Sequence, residues 1–417
     1  MKMFLLGHFR SPAAVIYGRL LSILANLFSA GLVSQILGPS GRGISSYAMV
    51  AVITTSAVLG FGLPQAARKA AKDSRLQFAI GNSALISAGT LILSIPSAVL
   101  VANALGDTLY GLTRLILIIG VSSAPLLTFS RVLQAALNGR GSYFRYVVAI
   151  SAQPLVLLIS LPLLLFTGAF NVDMVLTAQI FSILVSLLVG IWLLRPKFGV
   201  VAPLSYFASS VRYLPRDIAM ALKERLDLLI ITWLLGAYIG GLYAVAVAIG
   251  SLPTLVSQAV SNASFNLARK ASHRSDSDLL GFLQASVLVA GALGIVISLI
   301  VPVFVPWFFG EAFQDSVPII WAMLAIRSFG SSFSSVPEAA LLATGHEREV
   351  PLQGLIGLLL FGVLAIPAGY FFGGVAFVVV FYFSEIVTGV IWGTKARVPL
   401  FSSWAVTLRT AKLLLSR

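Results

Sequence analysis

The sequence predicts an all-α integral membrane protein with about twelve transmembrane helices in two parallel six-helix lobes around a central cavity. The first observation is composition: 58% of the 417 residues are hydrophobic and 10% are charged, with a mean hydropathy of +0.98. In soluble proteins the hydrophobic fraction averages roughly 45–50% and the charged fraction about 25%. A soluble or disordered protein needs far more charged residues, so this composition excludes both. The net charge of +14 does not indicate nucleic-acid binding, because the basic residues lie in short loops between apolar stretches.

The second observation is a series of twelve apolar segments. A helix needs about 20 apolar residues to cross a bilayer, and these runs lack the alternation of a membrane β-barrel. The first apolar segment follows the basic residues Lys2 and Arg10 and is too long for a cleaved signal peptide, so we expect it to remain as a span. The predicted spans are 13–37, 43–64, 78–102, 112–137, 146–168, 172–194, 213–235, 238–262, 279–303, 316–343, 350–371 and 374–394.

The distribution of basic residues sets the expected orientation. With both termini inside, 20 of the 28 Lys and Arg residues fall in the inside segments, and seven lie within spans. The outside loops hold one, Arg42, in the loop 38–42. Because cytoplasmic loops retain Lys and Arg during insertion, we expect both termini in the cytoplasm.

The third observation is an internal repeat. Leu37-Gly38 recurs as Leu235-Gly236, and the segments 47–50 and 67–70 recur near 243–246 and 268–271, with offsets of 198, 196 and 201. Six spans per repeat is an even number, so the repeats are parallel. We expect lobes at 1–200 and 201–394, then a basic tail at 395–417 that is either amphipathic on the inner leaflet or disordered.

Charged residues inside the first half of the chain are candidates for the substrate cavity, because a charge at mid-bilayer must face protein or water. Arg19 and Asn26 are seven residues apart, on one face of span 1. Arg131 lies near the inner end of span 4. For both arginines the alternative is snorkelling to the lipid headgroups.

The second half supplies the other candidates. In span 7, Lys223, Arg225 and Asp227 either line an inward vestibule or belong to an interfacial helix. In span 10, Arg327 and Glu338 share a face, as cavity residues or as partners in structural ion pairs. In span 12, the lone acid Glu385 either couples transport to an ion or makes a structural hydrogen bond.

Catalysis and metal binding find no support in the sequence. The chain has no cysteine and only three histidines, none near another, so we expect no metal site and no cofactor. No ATP-binding loop of the G-x-x-x-x-G-K-[ST] kind occurs. We therefore expect a non-enzyme driven by an ion gradient, the membrane potential or the gradient of its substrate.

Three segments resemble the polysaccharide (O-antigen-type) flippases of the multidrug/oligosaccharidyl-lipid/polysaccharide exporter superfamily. They are residues 35–43 (QILGPSGRG), 225–246 (RLD to LYAVA) and 307–313 (WFFGEAF). The resemblance implies a twelve-helix fold of two lobes with a V-shaped cavity. It also implies transport of polyprenyl-diphosphate-linked oligosaccharide from the inner to the outer leaflet, for surface polysaccharide synthesis.

The resemblance further implies arginine partners for the diphosphate, and Arg19, Arg131 and Arg327 fit that role. Span 7 departs from such a cationic cavity, because three of its acids would oppose an anion unless basic neighbours pair with them. The acids are Asp217, Glu224 and Asp227, and the basic neighbours are Arg216, Lys223 and Arg225. The implied partners are the lipid-linked glycan, membrane lipids and a glycan polymerase or glycosyltransferases, in the inner membrane of a prokaryote. Two alternatives stay open: a multidrug or cation exporter of the same superfamily, and a non-transporting membrane subunit of a glycan assembly complex.

Overall fold

A computed structural model describes residues 13–71, 76–105, 114–168, 170–196, 198–258, 260–261, 276–343 and 349–396. Within these ranges the regular structure is helical. The side chains of Lys223 and Glu224 and nearly all of the tail 395–417 lie outside this description. The predictions made for them are therefore not tested by the structure.

The chain forms two compact units, Met1–Gly241 and Leu242–Arg417. The helices of the first unit are α1 (Ala13–Leu59), α2 (Leu63–Ala70), α3 (Leu76–Leu105), α4 (Arg114–Ser122), α5 (Ala124–Gly139), α6 (Tyr143–Phe166), α7 (Val172–Leu194), α8 (Pro203–Val211) and most of α9 (Leu214–Gly250). In the second unit are α10 (Asp276–Phe309), a 3₁₀ helix (Glu311–Ser316), α11 (Val317–Ala343) and α12 (Glu349–Lys395). The lobes predicted at 1–200 and 201–394 rest on the repeat and stay a prediction.

Three glycines divide the longest helices. Gly38 in α1, Gly236 in α9 and Gly373 in α12 have φ of 65°, 86° and 81° with an extended ψ. A side chain makes positive φ costly, so glycine is the residue that permits these turns. Gly38 and Gly236 stand at the 198-residue offset of the repeat.

The membrane-spanning helices agree with the prediction. In the described residues, nine segments are long and apolar enough to cross a bilayer, and two of them have 42 and 44 residues. Three of these nine segments lie in α1, α9 and α12, and each is divided in two by its glycine turn, which gives twelve crossings. The chain after α9 is helical again from residue 254, which extends the eighth crossing. Predicted span 4 is broken, because α4 ends at Ser122 and Pro125 lies in the first turn of α5. Proline fits there because the first turn of a helix needs no N–H donor.

Serine and threonine hydroxyls join the helices within each unit at equivalent places. Ser56 of α1 and Thr128 of α5 are 3.0 Å apart. In the second unit, Ser257 lies 2.9 Å from Ser331 and 2.8 Å from Ser332 of α11. Ser257 and Ser331 follow Ser56 and Thr128 by 201 and 203 residues, so the repeat extends to interhelical hydrogen bonds.

The turns after Gly38 and Gly236 pack together inside the first unit. A Cβ on Gly43 would overlap the carbonyl oxygen of Ala237, and one on Gly241 would overlap that of Pro39. Backbone therefore packs directly on backbone. Only glycine allows this approach.

Replacing Gly43 with alanine is expected to lower the free energy of unfolding by about 2 kcal/mol, as overpacking does in protein cores. Gly89→Ala is the matched control, because Gly89 lies within α3 with open space around it. Alanine there should be neutral or slightly stabilising. Thermal unfolding in detergent measures both. Equal midpoints for the two variants would contradict the close packing of the turns.

Candidate functional site

Two arginines of the first unit meet near the packed turns. Arg42 lies four residues after Gly38 in α1, and Arg225 lies eleven residues before Gly236 in α9. Their guanidinium groups are close enough to repel each other. At 1.5 Å per residue, Arg42 is about 6 Å and Arg225 about 16 Å along the helix from their turns, so the two long side chains meet between these levels.

Neither arginine of this pair is fully satisfied. The Nε atom of each is buried and has no hydrogen-bond partner among the described residues. An unsatisfied buried donor costs about 1–3 kcal/mol, and more when charged. Placing two like charges close together adds to that cost. Two neighbouring guanidinium groups with unsatisfied donors suit an anion.

Asp227 lies two residues after Arg225 in α9. It is completely buried, and its Oδ1 accepts the N–H of Leu228 at 2.8 Å. Residues two apart on a helix do not face each other, so Asp227 and Arg225 extend from different sides of α9.

Arg19 and Asn26 share the exposed side of α1, as their spacing predicts. Ser22 lies three residues after Arg19 and four before Asn26, so it shares their side of the helix. This side borders α6, where Ser22 and Ser151 are 3.1 Å apart. Arg131 on α5 is half-buried. The cavity role proposed for these three residues stays a prediction.

The second unit brings together two candidates that the sequence left separate. Arg327 of α11 lies with its Cζ 4.7 Å from the ring centroid of Tyr382 on α12, a cation–π contact. Glu385, 7% exposed, follows Tyr382 by about one turn. It packs on Gly330, where a Cβ would lie 3.3 Å from the Cβ of Glu385. Arg327 and Glu385 therefore occupy neighbouring layers of one helix interface, and Glu338, also on α11, is half-buried.

Sequence reasoning missed Arg42 and Tyr382. The sequence predicts Arg42 in an outside loop, because it follows Gly38. In the structure its Nε is buried, and its guanidinium group interacts with Arg225 of α9. A signal was present: it is the one basic residue outside the predicted inside segments and spans, and glycines flank it. Tyr382 carried no signal among so many aromatic residues. Within the described residues, no three His, Asp or Glu side chains gather as metal ligands.

A family model described as polysaccharide biosynthesis protein matches residues 32–318, which include both arginines of the pair. The chain belongs to this family. No curated protein sequence matches the chain.

Solved structures share the fold at low sequence identity. An inward-facing multidrug resistance MATE family transporter of the MOP superfamily aligns with a TM-score of 0.66 and 16% identity, over 95% of this chain and 96% of that one. A MATE structure in complex with MaL6 aligns with a TM-score of 0.62 and 17% identity, over 97% of this chain and 96% of that one. A MOP superfamily transporter from Pyrococcus furiosus Vc1 (DSM3638), with a binding pocket of reverse polarity, gives 0.54 and 15%, over 94% of each chain.

The fold class predicted from the sequence is thereby confirmed. MATE transporters have twelve helices in two lobes, and this chain has their fold. Family and fold together make it a multi-pass membrane transporter.

Replacing Arg42 with methionine is expected to stabilise the protein in the absence of substrate. The change removes a half-buried, partly unsatisfied charge and the repulsion with Arg225 while keeping most of the side-chain volume. We expect the midpoint of thermal unfolding in detergent to rise by about 1–3 °C. Arg68→Met is the control, because Arg68 is exposed on α2 and should leave the midpoint unchanged. A fall in the midpoint for Arg42→Met would show that Arg42 supports the fold instead.

Proposed function

We propose that this transporter moves an oligosaccharide linked to a polyprenyl diphosphate from the inner to the outer leaflet, for surface polysaccharide synthesis. The observation that carries the proposal is the neighbouring pair Arg42 and Arg225, whose Nε atoms are buried and unsatisfied, in a chain of the polysaccharide biosynthesis family. Two neighbouring guanidinium groups favour an anionic ligand, and the family description, polysaccharide biosynthesis protein, supports one that is linked to a glycan.

A diphosphate suits this pair better than a single carboxylate does. Each guanidinium presents parallel N–H donors that match phosphate oxygens, and it stays charged at any physiological pH. A diphosphate carries enough oxygens to engage two arginines at once. Its binding would replace the repulsion between Arg42 and Arg225 with two charge-assisted contacts.

Arg19, Arg131 and Arg327 are the further residues that we propose to contact the diphosphate or the glycan during passage. Arg225 and Asp227 would lie beside Lys223 in the same path. Asn26 and Glu338 offer uncharged and acidic hydrogen-bonding groups for sugar hydroxyls. Glu385 would act in ion coupling, since it is a buried acid one turn from the residue that contacts Arg327.

The membrane potential can drive this reaction without ATP. Moving one charge across 100 mV is worth about 2.3 kcal/mol. A substrate with two negative charges therefore gains about 4.6 kcal/mol per 100 mV when it leaves an inside-negative cell. A cationic drug would move against the same potential and would require ion exchange.

Export of drugs or cations is the competing function. The multidrug resistance transporter and the other neighbours share only the fold at 15–17% identity. In its favour stand the buried acids Asp227 and Glu385. Against it stands the basic pair, because two neighbouring guanidinium groups repel a cation. A glycan assembly subunit that does not transport has no evident use for this pair.

The proposal predicts how arginine variants behave in a strain deleted for the gene. Wild-type protein and Arg68→Gln should restore normal amounts of lipid-linked glycan on the outer face. Arg42→Gln and Arg225→Gln should leave it on the cytoplasmic face, with transport reduced about tenfold or more for each lost arginine. Arg327→Glu should also block transport.

The measurement is the amount of glycan-linked polyprenyl diphosphate on each face of the membrane, with protein levels checked by immunoblot. Normal sidedness in the deletion strain would overturn the proposal of a sole flippase. Drug sensitivity of that strain, unchanged by the Arg42 and Arg225 variants, would favour cation export instead.

A further inference from the structure

A second basic site lies in the first unit, away from Arg42 and Arg225. A cavity of about 170 Å³ opens between the first turn of α3, the turn after α5 and the end of α7. Its lining includes the apolar residues Leu76, Ile80 and Leu194, which are buried, and the exposed residues Arg140 and Arg195. The cavity therefore combines an apolar wall with two guanidinium groups.

The wall formed by the chain after α7 is held in place on α3. The N–H of Gly199 donates to the carbonyl of Gln77 at 3.3 Å. Asn82 donates to the carbonyl of Val201 at 2.9 Å and accepts its N–H at 3.3 Å. A Cβ on Gly81 would overlap Gly199, so the contact needs glycine. These contacts make the cavity a built feature of the fold.

Arg195 has a backbone conformation that its residue type disfavours. It ends α7 with φ 46° and ψ 59°, in the left-handed region where glycine is the usual residue. An arginine there carries a strain that glycine would avoid. This conformation ends α7 at the cavity, and the side chain of Arg195 lines the cavity beside Arg140.

The surroundings of the cavity are strongly basic. The segments predicted to be inside in the first half of the chain, 1–12, 65–77, 138–145 and 195–212, hold eleven Lys and Arg residues and a single acid, Asp73. Both arginines of the cavity belong to these segments, so the cavity lies at the level of the inner leaflet headgroups. Anionic phospholipids occupy that level.

We infer that this cavity binds the phosphate of an anionic phospholipid from the inner leaflet. Arg140 and Arg195 would hold the phosphate through charge-assisted hydrogen bonds. Leu76, Ile80 and Leu194 would contact the apolar part of the lipid next to it. A free phosphate ion shares the charged half of this chemistry but gains nothing from the apolar wall.

The test compares three probes with the purified full-length protein in a neutral detergent: phosphatidylglycerol, phosphatidylcholine and inorganic phosphate. We expect phosphatidylglycerol to raise the thermal midpoint, and native mass spectra to show a retained phosphatidylglycerol molecule. In Arg140→Gln/Arg195→Gln this lipid should bind about tenfold more weakly or worse. Arg68→Gln/Lys69→Gln is the matched control, because these exposed residues of α2 do not line the cavity.

Arg195→Gly separates lipid binding from folding. Glycine relieves the left-handed conformation, so this variant should be at least as stable as the wild type without lipid and should lose most of the response to phosphatidylglycerol. A full response in Arg195→Gly or in the double variant would overturn the site. An equal response to inorganic phosphate, lost in the same variants, would overturn the lipid as the occupant.

Discussion

The close packing of two glycine turns underlies the arrangement of the first unit. The backbone packs directly on backbone at two places, where Gly43 meets Ala237 and Gly241 meets Pro39. These contacts hold the part of α1 after Gly38, which carries Arg42, beside α9. A residue with a Cβ would hold these segments apart. Because Arg42 and Arg225 interact across this packing, the charge of the site depends on contacts that involve no charged group.

The hydrocarbon of the bilayer explains why such a site has functional meaning. Backbone polar groups must be satisfied internally, so the chain crosses as helices and bends only where glycine or proline permits. A buried charge costs at least about 3 kcal/mol at mid-bilayer. A transporter that keeps two neighbouring, partly buried arginines inside its helices gives up stability, and on the proposed function a diphosphate bound in passage would recover it. The family and the fold are consistent with that account.

The spans and the glycine turns could be predicted because hydropathy and repeat spacing are local signals. Leu37-Gly38 and Leu235-Gly236 mark the turns in the sequence, and both glycines have positive φ. The partners of charged residues could not be predicted, because they depend on which helix faces which. Arg42 looked like a loop residue, and the contact between Arg327 and Tyr382 joins residues 55 positions apart. Likewise, the strained backbone of Arg195 has no signature in the sequence.

The most direct test of the central claim is transport by the purified protein in liposomes. A polyprenyl-diphosphate-linked oligosaccharide with a fluorescent sugar would be added, and an enzyme or quencher that cannot cross the membrane would report the leaflet. The account predicts that wild-type protein moves the lipid between leaflets, faster with a potential positive on the destination side, and that Arg42→Gln/Arg225→Gln does not. Equal rates for the wild type and this double variant would contradict it.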